Sequence, residues 1–159
     1  MKNLWAPWRI DYIRAPKDGH CFLCAMFNGT DDEETFVLYR GATCAVVMNR
    51  FPYTGGHLMI CPYRHIANFS DLTREERLEI MDLTETSMNI LRSVMNPQGF
   101  NLGYNLGEAA GAGLKEHLHQ HIVPRWIGDT NIMPVLGGVT VVPQAMRELY
   151  RELKPKFDA

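Results

Sequence analysis

The order of hydrophobic patterns along the chain is the feature that most limits its fold. The β-rich runs TFVLYR and TCAVVMNR, separated by GA, predict a hairpin, and HLMICP predicts a third strand. From Asp71 to about Met95 apolar residues recur near helical period, which predicts one long amphipathic helix. GFNLGYNL and HLHQHIVP return to strand, and PQAMRELYREL predicts a C-terminal helix. Because βαβ alternation is missing, we expect an α+β fold, with an antiparallel sheet and helices on one side.

The chain has 159 residues, which suits one domain over residues 1–159. It shows no repeat and no linker long enough to separate two domains. The N-terminal run LWAPWRIDYI is rich in tryptophan, and we expect it to pack on the domain or on a partner. Ser70 or Asp71 is the expected N-cap of the long helix, with Thr73 as the alternative.

The composition excludes several classes of protein. The apolar runs are shorter than the roughly 20 residues of a spanning helix, and no signal peptide is recognisable, so we expect a cytoplasmic protein without a membrane. A formal net charge of -2 does not provide the basic field that non-specific nucleic-acid binding requires. A small anionic ligand that is held locally remains compatible with this charge.

Four cysteines in a chain of this kind are more typical of thiols or metal ligands than of disulfides. Cys21 and Cys24 form a CxxC pair, which alone fits a redox turn, packed thiols or half of a metal site. Cys44 and Cys61 lie in apolar strand-like runs, and we expect them to be small buried side chains.

Three histidines stand at alternate positions in EHLHQHIVPRW. In a strand, His117, His119 and His121 share one face about 7 Å apart, while Gln120 points to the other face. Such a row suits either a metal site or nucleophilic and general acid chemistry on an anionic group. The preceding run GEAAGAGLKE fits either a plain turn or a nest of backbone amides for an anion. Next to the histidines, we favour a phosphate site.

Two motifs of the chain resemble those of a known family. HLHQHIVP resembles the His-x-His-x-His signature of the histidine triad (HIT) family of nucleotide-binding proteins, and NRFPYTGGHLMICPYRH resembles that family's second motif. The resemblance covers a core of about residues 20–126, flanked by N-terminal and C-terminal extensions. Those extensions resemble the branch that includes small bacterial diadenosine tetraphosphate phosphorylases.

The resemblance implies a nucleotidyl hydrolase or transferase that acts at the α-phosphate of dinucleoside polyphosphates. It assigns the role of nucleophile to His119 and a hydrogen bond with the phosphate or the leaving oxygen to His121. Splitting one displacement into two steps is the general advantage of such covalent catalysis. Water or inorganic phosphate then removes the nucleotide, and the phosphorylase-like ends favour phosphate. Alternatives are an adenosine phosphoramidate or adenylylated-substrate hydrolase and a nucleotide-binding regulatory module with little turnover.

The same resemblance implies the residues that bind the substrate. Asn49 is expected at the ribose and Asn105 at a phosphate, and the amides near Gly111, Ala112 and Gly113 are expected to stabilise phosphate charge. Trp126 either closes over the substrate and stacks on a base or belongs to the core.

A structural zinc site is also implied by the resemblance, with Cys21, Cys24, His65 and His117 as its ligands. His57 either orients a histidine of the triad through a hydrogen bond or simply packs.

Gln120 replaces the apolar residue usual in the family, and we expect a half-exposed position on the back of the sheet in preference to contact with a substrate or partner. The resemblance further implies a homodimer in which strands and the long helix pair across a two-fold axis.

Overall fold

The computed structural model of the chain describes residues 21–129 and 144–159. Its helices and strands are, in chain order, α1 (Phe22–Asn28), α2 (Asp32–Thr35), β1 (Val37–Arg40), β2 (Cys44–Met48), β3 (Leu58–Pro62), α3 (Arg74–Met95), β4 (Gly99–Tyr104), β5 (Gln120–Arg125) and α4 (Met146–Phe157). Short 3-10 helices lie at Phe69–Asp71 and Glu108–Ala110. The predicted packing of LWAPWRIDYI and the start of PQAMRELYREL at Pro143 lie outside the described residues. Among the described residues, no helix has the length and apolar character needed to cross a bilayer.

The five strands form one antiparallel sheet in the order β1-β2-β3-β5-β4. The predicted α+β class and the predicted strands, long helix and C-terminal helix are therefore confirmed. The short helices α1 and α2 were not predicted from the sequence. Strand β5 lies between β3 and β4, which places His121 inside the sheet and makes β4 an edge strand.

Different helices pack on the two faces of the sheet. Helices α3 and α4 pack on one face, where the core includes Ile60 and Ile122 from the sheet and Leu91 and Leu153 from the helices. The short helix α1 covers part of the other face, and its Leu23 and Met26 pack on a smaller cluster made by Val37, Ala45, Val47, Met59 and Cys61. Both Cys44 and Cys61 are fully buried, as predicted.

Helix α3 begins with a capping box. The Thr73 side chain accepts a hydrogen bond from the Glu76 amide at 3.2 Å, and the Glu76 carboxylate accepts one from the Thr73 amide at 2.8 Å. Two of the backbone donors that a helix start leaves unpaired are thereby satisfied. Thr73 is the N-cap, so the preferred prediction of Ser70 or Asp71 was wrong. Those two residues belong to the preceding 3-10 turn.

Helix α3 also holds the β1-β2 hairpin. The Glu79 carboxylate accepts hydrogen bonds from the amides of Ala42 and Thr43, both at 2.6 Å, and from the amide of Cys44 at 2.9 Å. These bonds satisfy turn amides that would otherwise lack a partner in the ladder. The predicted GA turn is therefore fixed by a helix that lies far away in sequence.

Strand β5 is shorter than the sequence predicted. It begins at Gln120, so His117 and His119 precede the strand, although Leu118 still belongs to the helix-side core and the His119 ring still lies 4.8 Å from that of His121. The β3 ladder reaches only the Ile60–Gln120 pair, and Pro62 farther along has no amide hydrogen to extend it. The Leu118 amide instead donates to the Ile66 carbonyl at 2.7 Å. This long-range bond holds the segment between His117 and His119 where the ladder with β3 ends.

Candidate active site and metal centre

His121 is fixed by the strands on both sides of it. Its register partners are Met59 on β3 and Gly103 on β4, and Met59 belongs to the cluster on the face opposite α3. His121 therefore lies on the face that is not covered by α3. Its neighbour Gln120 pairs with Ile60 and points to the helix side, in agreement with strand alternation.

The ring orientation of His119 is set by a backbone carbonyl. The Nδ1 atom of His119 lies 2.8 Å from the carbonyl oxygen of His117. A carbonyl can only accept a hydrogen bond, so Nδ1 carries the proton and Nε2 of the neutral ring has the free lone pair. That second nitrogen is the one that is able to attack an electrophile.

The tautomer of His121 follows from a chain of hydrogen bonds through His57. The Tyr53 amide donates to Nδ1 of His57 at 3.1 Å, so the His57 proton resides on Nε2. This Nε2 lies 2.9 Å from Nδ1 of His121, which must then accept, leaving the His121 proton on Nε2. His121 is thereby a hydrogen-bond donor at Nε2, on the side of the Asn105 side-chain amide. His57 is buried with 1% exposure, in the orienting position that the sequence offered as one alternative.

Burial keeps these imidazoles neutral. Desolvation, followed by the charge of His121 and then that of His119, lowers the pKa of His57 to about 3. Desolvation and then the charge of His119 lower the pKa of His121 to about 4. Burial also lowers the pKa of His119, although the hydrogen bond to the His117 carbonyl opposes this effect. A neutral His119 with a free lone pair is consequently present beside a neutral His121 at neutral pH.

Asparagines flank the histidines at both ends. The amide nitrogen of Asn105 lies 3.4 Å from Nε2 of His121 and 3.3 Å from the hydroxyl of Tyr53. On the other side, Asn49 follows β2, its amide nitrogen lies 3.4 Å from the His57 ring, and its oxygen accepts the Phe51 amide at 2.8 Å. The structure thus brings both predicted asparagines to the histidine cluster.

The glycine-rich loop is less open than the sequence suggested. The amide of Gly111 donates to Glu108 at 2.9 Å, and that of Ala112 donates to Gly107 at 3.3 Å. Gly111 has φ +81, a left-handed conformation that favours glycine and closes the short 3-10 turn. Of the three predicted amides, only that of Gly113 makes no hydrogen bond to another described residue. In this conformation, Gly111 and Ala112 direct their amides into the loop.

Cys21, Cys24, His65 and His117 form one cluster, with their ligand atoms all within 4.8 Å of one another. The Nδ1 atom of His117 lies 3.2 Å from Sγ of Cys21 and 3.5 Å from Sγ of Cys24, and Nδ1 of His65 lies 3.4 Å from the latter. A tetrahedral zinc ion with ordinary bond lengths separates its ligand atoms by about 3.3 to 3.8 Å. The four residues therefore fit zinc.

His117 is oriented by a hydrogen bond to the backbone, and an ion pair anchors the segment that carries His65. Nε2 of His117 donates to the Pro62 carbonyl at 2.8 Å, which leaves its Nδ1 unprotonated and facing the thiols. Beside His65, the Arg64 guanidinium makes a two-pronged contact with the Glu76 carboxylate at 2.8 and 2.7 Å. That carboxylate is only 3% exposed, so the pair ties the His65 segment to the start of α3. No motif or spacing in the sequence distinguishes Arg64 or Glu76 from other charged residues.

The structure corrects the expected environment of Gln120. This side chain is buried, with 6% exposure, between the sheet and α3, where its oxygen lies 3.1 Å from the Thr84 hydroxyl and 3.4 Å from that of Tyr104. The prediction of a half-exposed position was wrong because α3 covers this part of the sheet. The predicted orientation away from the histidines was right.

Trp126 is half-buried just beyond the end of β5, and its amide donates to Asp129 at 3.1 Å. Five residues of extended chain separate it from His121, about 16 Å at roughly 3.3 Å per residue. The described contacts do not bring this ring to the histidines, and its role in binding stays a prediction.

Comparison with known proteins identifies the family. A model of the HIT domain matches residues 30–126. The chain belongs to the HIT family. This agrees with the resemblance seen in the two sequence motifs, and the matched range contains all three histidines of the triad.

Relatives of this HIT protein include named enzymes. It is 40% identical over 165 residues to an AP-4-A phosphorylase from Mycobacterium tuberculosis, covering 99% of this chain and 85% of the relative. It is 29% identical over 89 residues to an asymmetrical bis(5'-nucleosyl)-tetraphosphatase from Schizosaccharomyces pombe, covering 56% of this chain and 48% of that protein. We conclude that this HIT protein is an enzyme.

Solved structures support the fold of this HIT protein. A zinc-bound histidine triad family protein from Mycobacterium smegmatis superposes with a TM-score of 0.68 at 22% identity, covering 88% of this chain and 94% of that one. At that identity the likeness establishes a shared fold.

Proposed function

We propose that this chain cleaves dinucleoside polyphosphates such as diadenosine tetraphosphate at the α-phosphate, with inorganic phosphate as the favoured acceptor. The observation that carries the proposal is the orientation of His119, whose Nδ1 proton is held by the His117 carbonyl at 2.8 Å. The name of the Mycobacterium tuberculosis relative, at 40% identity over nearly the whole chain, supports the choice of substrate and of phosphorolysis.

In the proposed mechanism, Nε2 of His119 attacks the α-phosphorus. The new nitrogen–phosphorus bond forms while the bond from phosphorus to the bridging oxygen breaks, and that oxygen leaves with the electron pair as ATP. Phosphate then attacks the nucleotidyl-histidine, and the nitrogen–phosphorus bond returns its electron pair to His119. The products are ADP and ATP. With water as acceptor, AMP would form in place of ADP.

His121 and its neighbours stabilise the charge of this reaction. The Nε2 proton of His121 is directed to the open side by the hydrogen bond from His57, so it donates to the phosphate or the leaving oxygen. A donor aimed at developing charge typically lowers a barrier by about 3 kcal/mol. Asn105, next to His121, is proposed as a second donor to the phosphates.

The remaining substrate contacts are proposed from the family resemblance. Asn49 contacts the ribose, Trp126 contributes to the nucleotide site, and the loop amides of Gly111, Ala112 and Gly113 face the phosphates. Two of those amides donate within the loop here, so we expect the loop to rearrange when the substrate binds.

We also propose that zinc occupies the cluster of Cys21, Cys24, His65 and His117 and has a structural role. When bound, the ion supplies a cross-link between the start of α1, the segment after β3 and the segment before β5. His117 belongs to both centres, because its ring faces the thiols and its carbonyl orients His119. Zinc therefore affects the nucleophile only through the position of the His117 backbone.

A homodimer is proposed on the basis of the exposed sheet edge and helix surface. Strand β4 has no second neighbour among the described residues, and unpaired edges commonly pair with another chain. On α3, Leu78 and Met81 are 55% and 65% exposed, and Leu102 on β4 is 48% exposed. A two-fold interface that covers these side chains would remove apolar surface from water.

The deciding experiment is product analysis with diadenosine tetraphosphate, in the presence and absence of inorganic phosphate. We expect ADP and ATP in equal amounts only when phosphate is present, and no turnover by His119→Ala. Glu116→Ala is a matched control, since Glu116 is a neighbouring exposed side chain that the mechanism does not use. Formation of AMP and ATP without phosphate would instead make this enzyme a hydrolase. Tight nucleotide binding with no turnover would favour the binding-module alternative.

A further inference from the structure

A groove of about 380 Å³ lies beside His121 on the face of the sheet that carries the histidines. Its walls include Tyr53 and Thr54 on one side, Asn101 and Gly103 of β4 on the other, and Arg125 at one end. Cavities of about 300 to 1,000 Å³ are typical of sites for small molecules. A larger groove near Phe69 and Leu106 includes no histidine of the triad.

Gly103 forms the floor of this groove opposite His121. A Cβ atom added at Gly103 would meet no atom within 4 Å, and its backbone does not have the positive φ that favours glycine. A glycine inside a strand weakens the strand and often marks a place where a ligand comes close. Since neither backbone conformation nor crowding requires glycine at this position, its effect is to leave space next to His121.

The two ends of the groove differ in chemistry. The amide nitrogen of Asn105 and the Tyr53 hydroxyl lie 3.3 Å apart near His121, and the Tyr53 ring is 52% exposed, with its centroid 5.6 Å from that of His121. Arg125 lies four residues farther along β5, about 13 Å at roughly 3.3 Å per residue. Its guanidinium is held by Asp129 at 2.6 and 2.9 Å and by Asn101 at 2.7 Å.

The position of the groove indicates which part of a substrate it holds. The sheet order places the end of β2, with Asn49, on one side of the histidines and β4 on the other. With Asn49 at the ribose, in-line attack by Nε2 of His119 places the leaving oxygen on the side of phosphorus opposite His119, so the departing part of the substrate extends past His121 into the groove beside β4. The Asn105 amide and the Tyr53 hydroxyl beside His121 suit its phosphates, and the groove continues towards Arg125 for the rest of the leaving group.

We infer that the groove over Gly103 is the subsite for the leaving nucleotide, and that the small size of Gly103 allows this enzyme to accept a nucleoside polyphosphate as leaving group. The inference rests on the proposed function and adds a determinant of specificity to it. Filling the groove affects substrates with a large leaving group more than substrates with a small one. A loss that is larger for the large leaving group therefore distinguishes a defect in the subsite from a defect in the chemistry at His119.

The test compares two substrates with the same adenylyl part. Diadenosine tetraphosphate has ATP as leaving group, whereas adenosine 5'-phosphoramidate has only ammonia. The quantity measured is the ratio of kcat/KM for the first substrate to kcat/KM for the second. Gly103→Val places a branched side chain in the groove, and valine suits a strand, so the fold is expected to persist. Gly103→Ala is the milder second variant.

Gly99→Val is the matched control. Gly99 lies on the same edge strand, has no atom within 4 Å of an added Cβ and is not part of the groove lining. Any effect of valine on the strand or on dimerisation through β4 should therefore appear in both valine variants, and light scattering with circular dichroism checks both.

We expect Gly103→Val to lower the ratio at least about tenfold, the change produced by about 1.4 kcal/mol of lost discrimination. Gly103→Ala should lower it less, and Gly99→Val should leave it unchanged within twofold. An unchanged ratio in Gly103→Val would overturn the subsite while leaving the proposed function intact. If the wild-type enzyme cleaves neither substrate, the proposed function fails first, and the subsite fails with it.

Discussion

His117 and His119 have the same type of side chain, but the structure directs their imidazoles to different chemistry. At the metal end, the Pro62 carbonyl accepts the Nε2 proton of His117 and leaves Nδ1 facing two thiols. At the catalytic end, the His117 carbonyl accepts the Nδ1 proton of His119 and leaves Nε2 open. The comparison teaches that the backbone partner of one ring nitrogen determines the role of the other.

The comparison predicts that turnover can be lost without loss of stability, and that zinc and stability can be lost without loss of turnover. His119→Ala removes the proposed nucleophile, so we expect kcat for diadenosine tetraphosphate to fall by about 10⁴-fold or more. The unfolding temperature should change little, because His119 is partly exposed and bonds only the backbone. Steady-state kinetics and thermal denaturation measure the two effects. Substantial remaining turnover would show that another group attacks phosphorus.

At the metal end, we expect a substitution to lower zinc binding and stability while turnover is largely kept. Cys24→Ser removes one thiolate, so bound zinc per chain should fall and the protein should lose several kcal/mol of stability, or roughly 10 °C in unfolding temperature. Turnover by the protein that remains folded should stay within about tenfold of wild type. Elemental analysis, calorimetry and kinetics at low temperature test this dissociation.

Cys44→Ala is the control for that experiment. Cys44 is fully buried outside the metal cluster, so its truncation should lower stability by about 1 kcal/mol while zinc content is unchanged. Equal loss of zinc in both variants would show that zinc binding depends only on general stability.

The sequence predicted a metal cluster and a catalytic cluster, but it did not show the backbone contacts that give the histidines their different roles. Hydrophobic periodicity predicted the five strands and the two main helices, and the family resemblance predicted both residue clusters. Periodicity did not reveal that β5 begins only at Gln120, because that depends on Pro62 and on the Leu118 bond to a distant carbonyl. The tautomers depend on the same long-range backbone contacts.

Other residues were missed because their roles arise only from tertiary contacts. Arg64 and Glu76 read as ordinary surface charges, although their pair anchors the His65 segment. Tyr53 gave only one signal, an aromatic residue within the second motif. In the sequence, Gly103 is only a glycine inside a predicted strand. Its position opposite His121 becomes apparent only when β4 is placed beside β5.

His57 offers a way to sharpen the comparison within the catalytic end. His57→Phe removes the bond that orients His121, so we expect kcat to fall about 10- to 100-fold. His57→Gln retains an amide donor and should recover part of the loss. A residue that serves only for packing would give the same kcat in both variants, so equal kinetics would contradict the orienting role.

The buried histidines of the catalytic end should also make the stability depend on pH. Burial lowers the pKa of His57 from 6.5 to about 3 and that of His121 to about 4, so the folded state binds fewer protons than the unfolded state below pH 6.5. The free energy of unfolding should therefore fall as the pH decreases from 6.5 towards 4, by up to about 1.4 kcal/mol per pH unit for each histidine. Denaturant titrations should show a shallower slope in His57→Phe. An unchanged slope would mean that other groups control the acid transition.

The smallest effect is expected at Gln120, which lies between the two catalytic histidines in sequence and faces the other side of the sheet. In Gln120→Leu, the Thr84 hydroxyl keeps its 2.6 Å bond to the Ile80 carbonyl, so no strongly buried donor loses its only partner. We expect kcat to remain within about twofold and the free energy of unfolding within about 1 kcal/mol. A large loss of kcat without a loss of stability would mean that the back of the sheet influences the histidines. In that case strand alternation would not separate the catalytic face from the helix-covered face as completely as the geometry indicates.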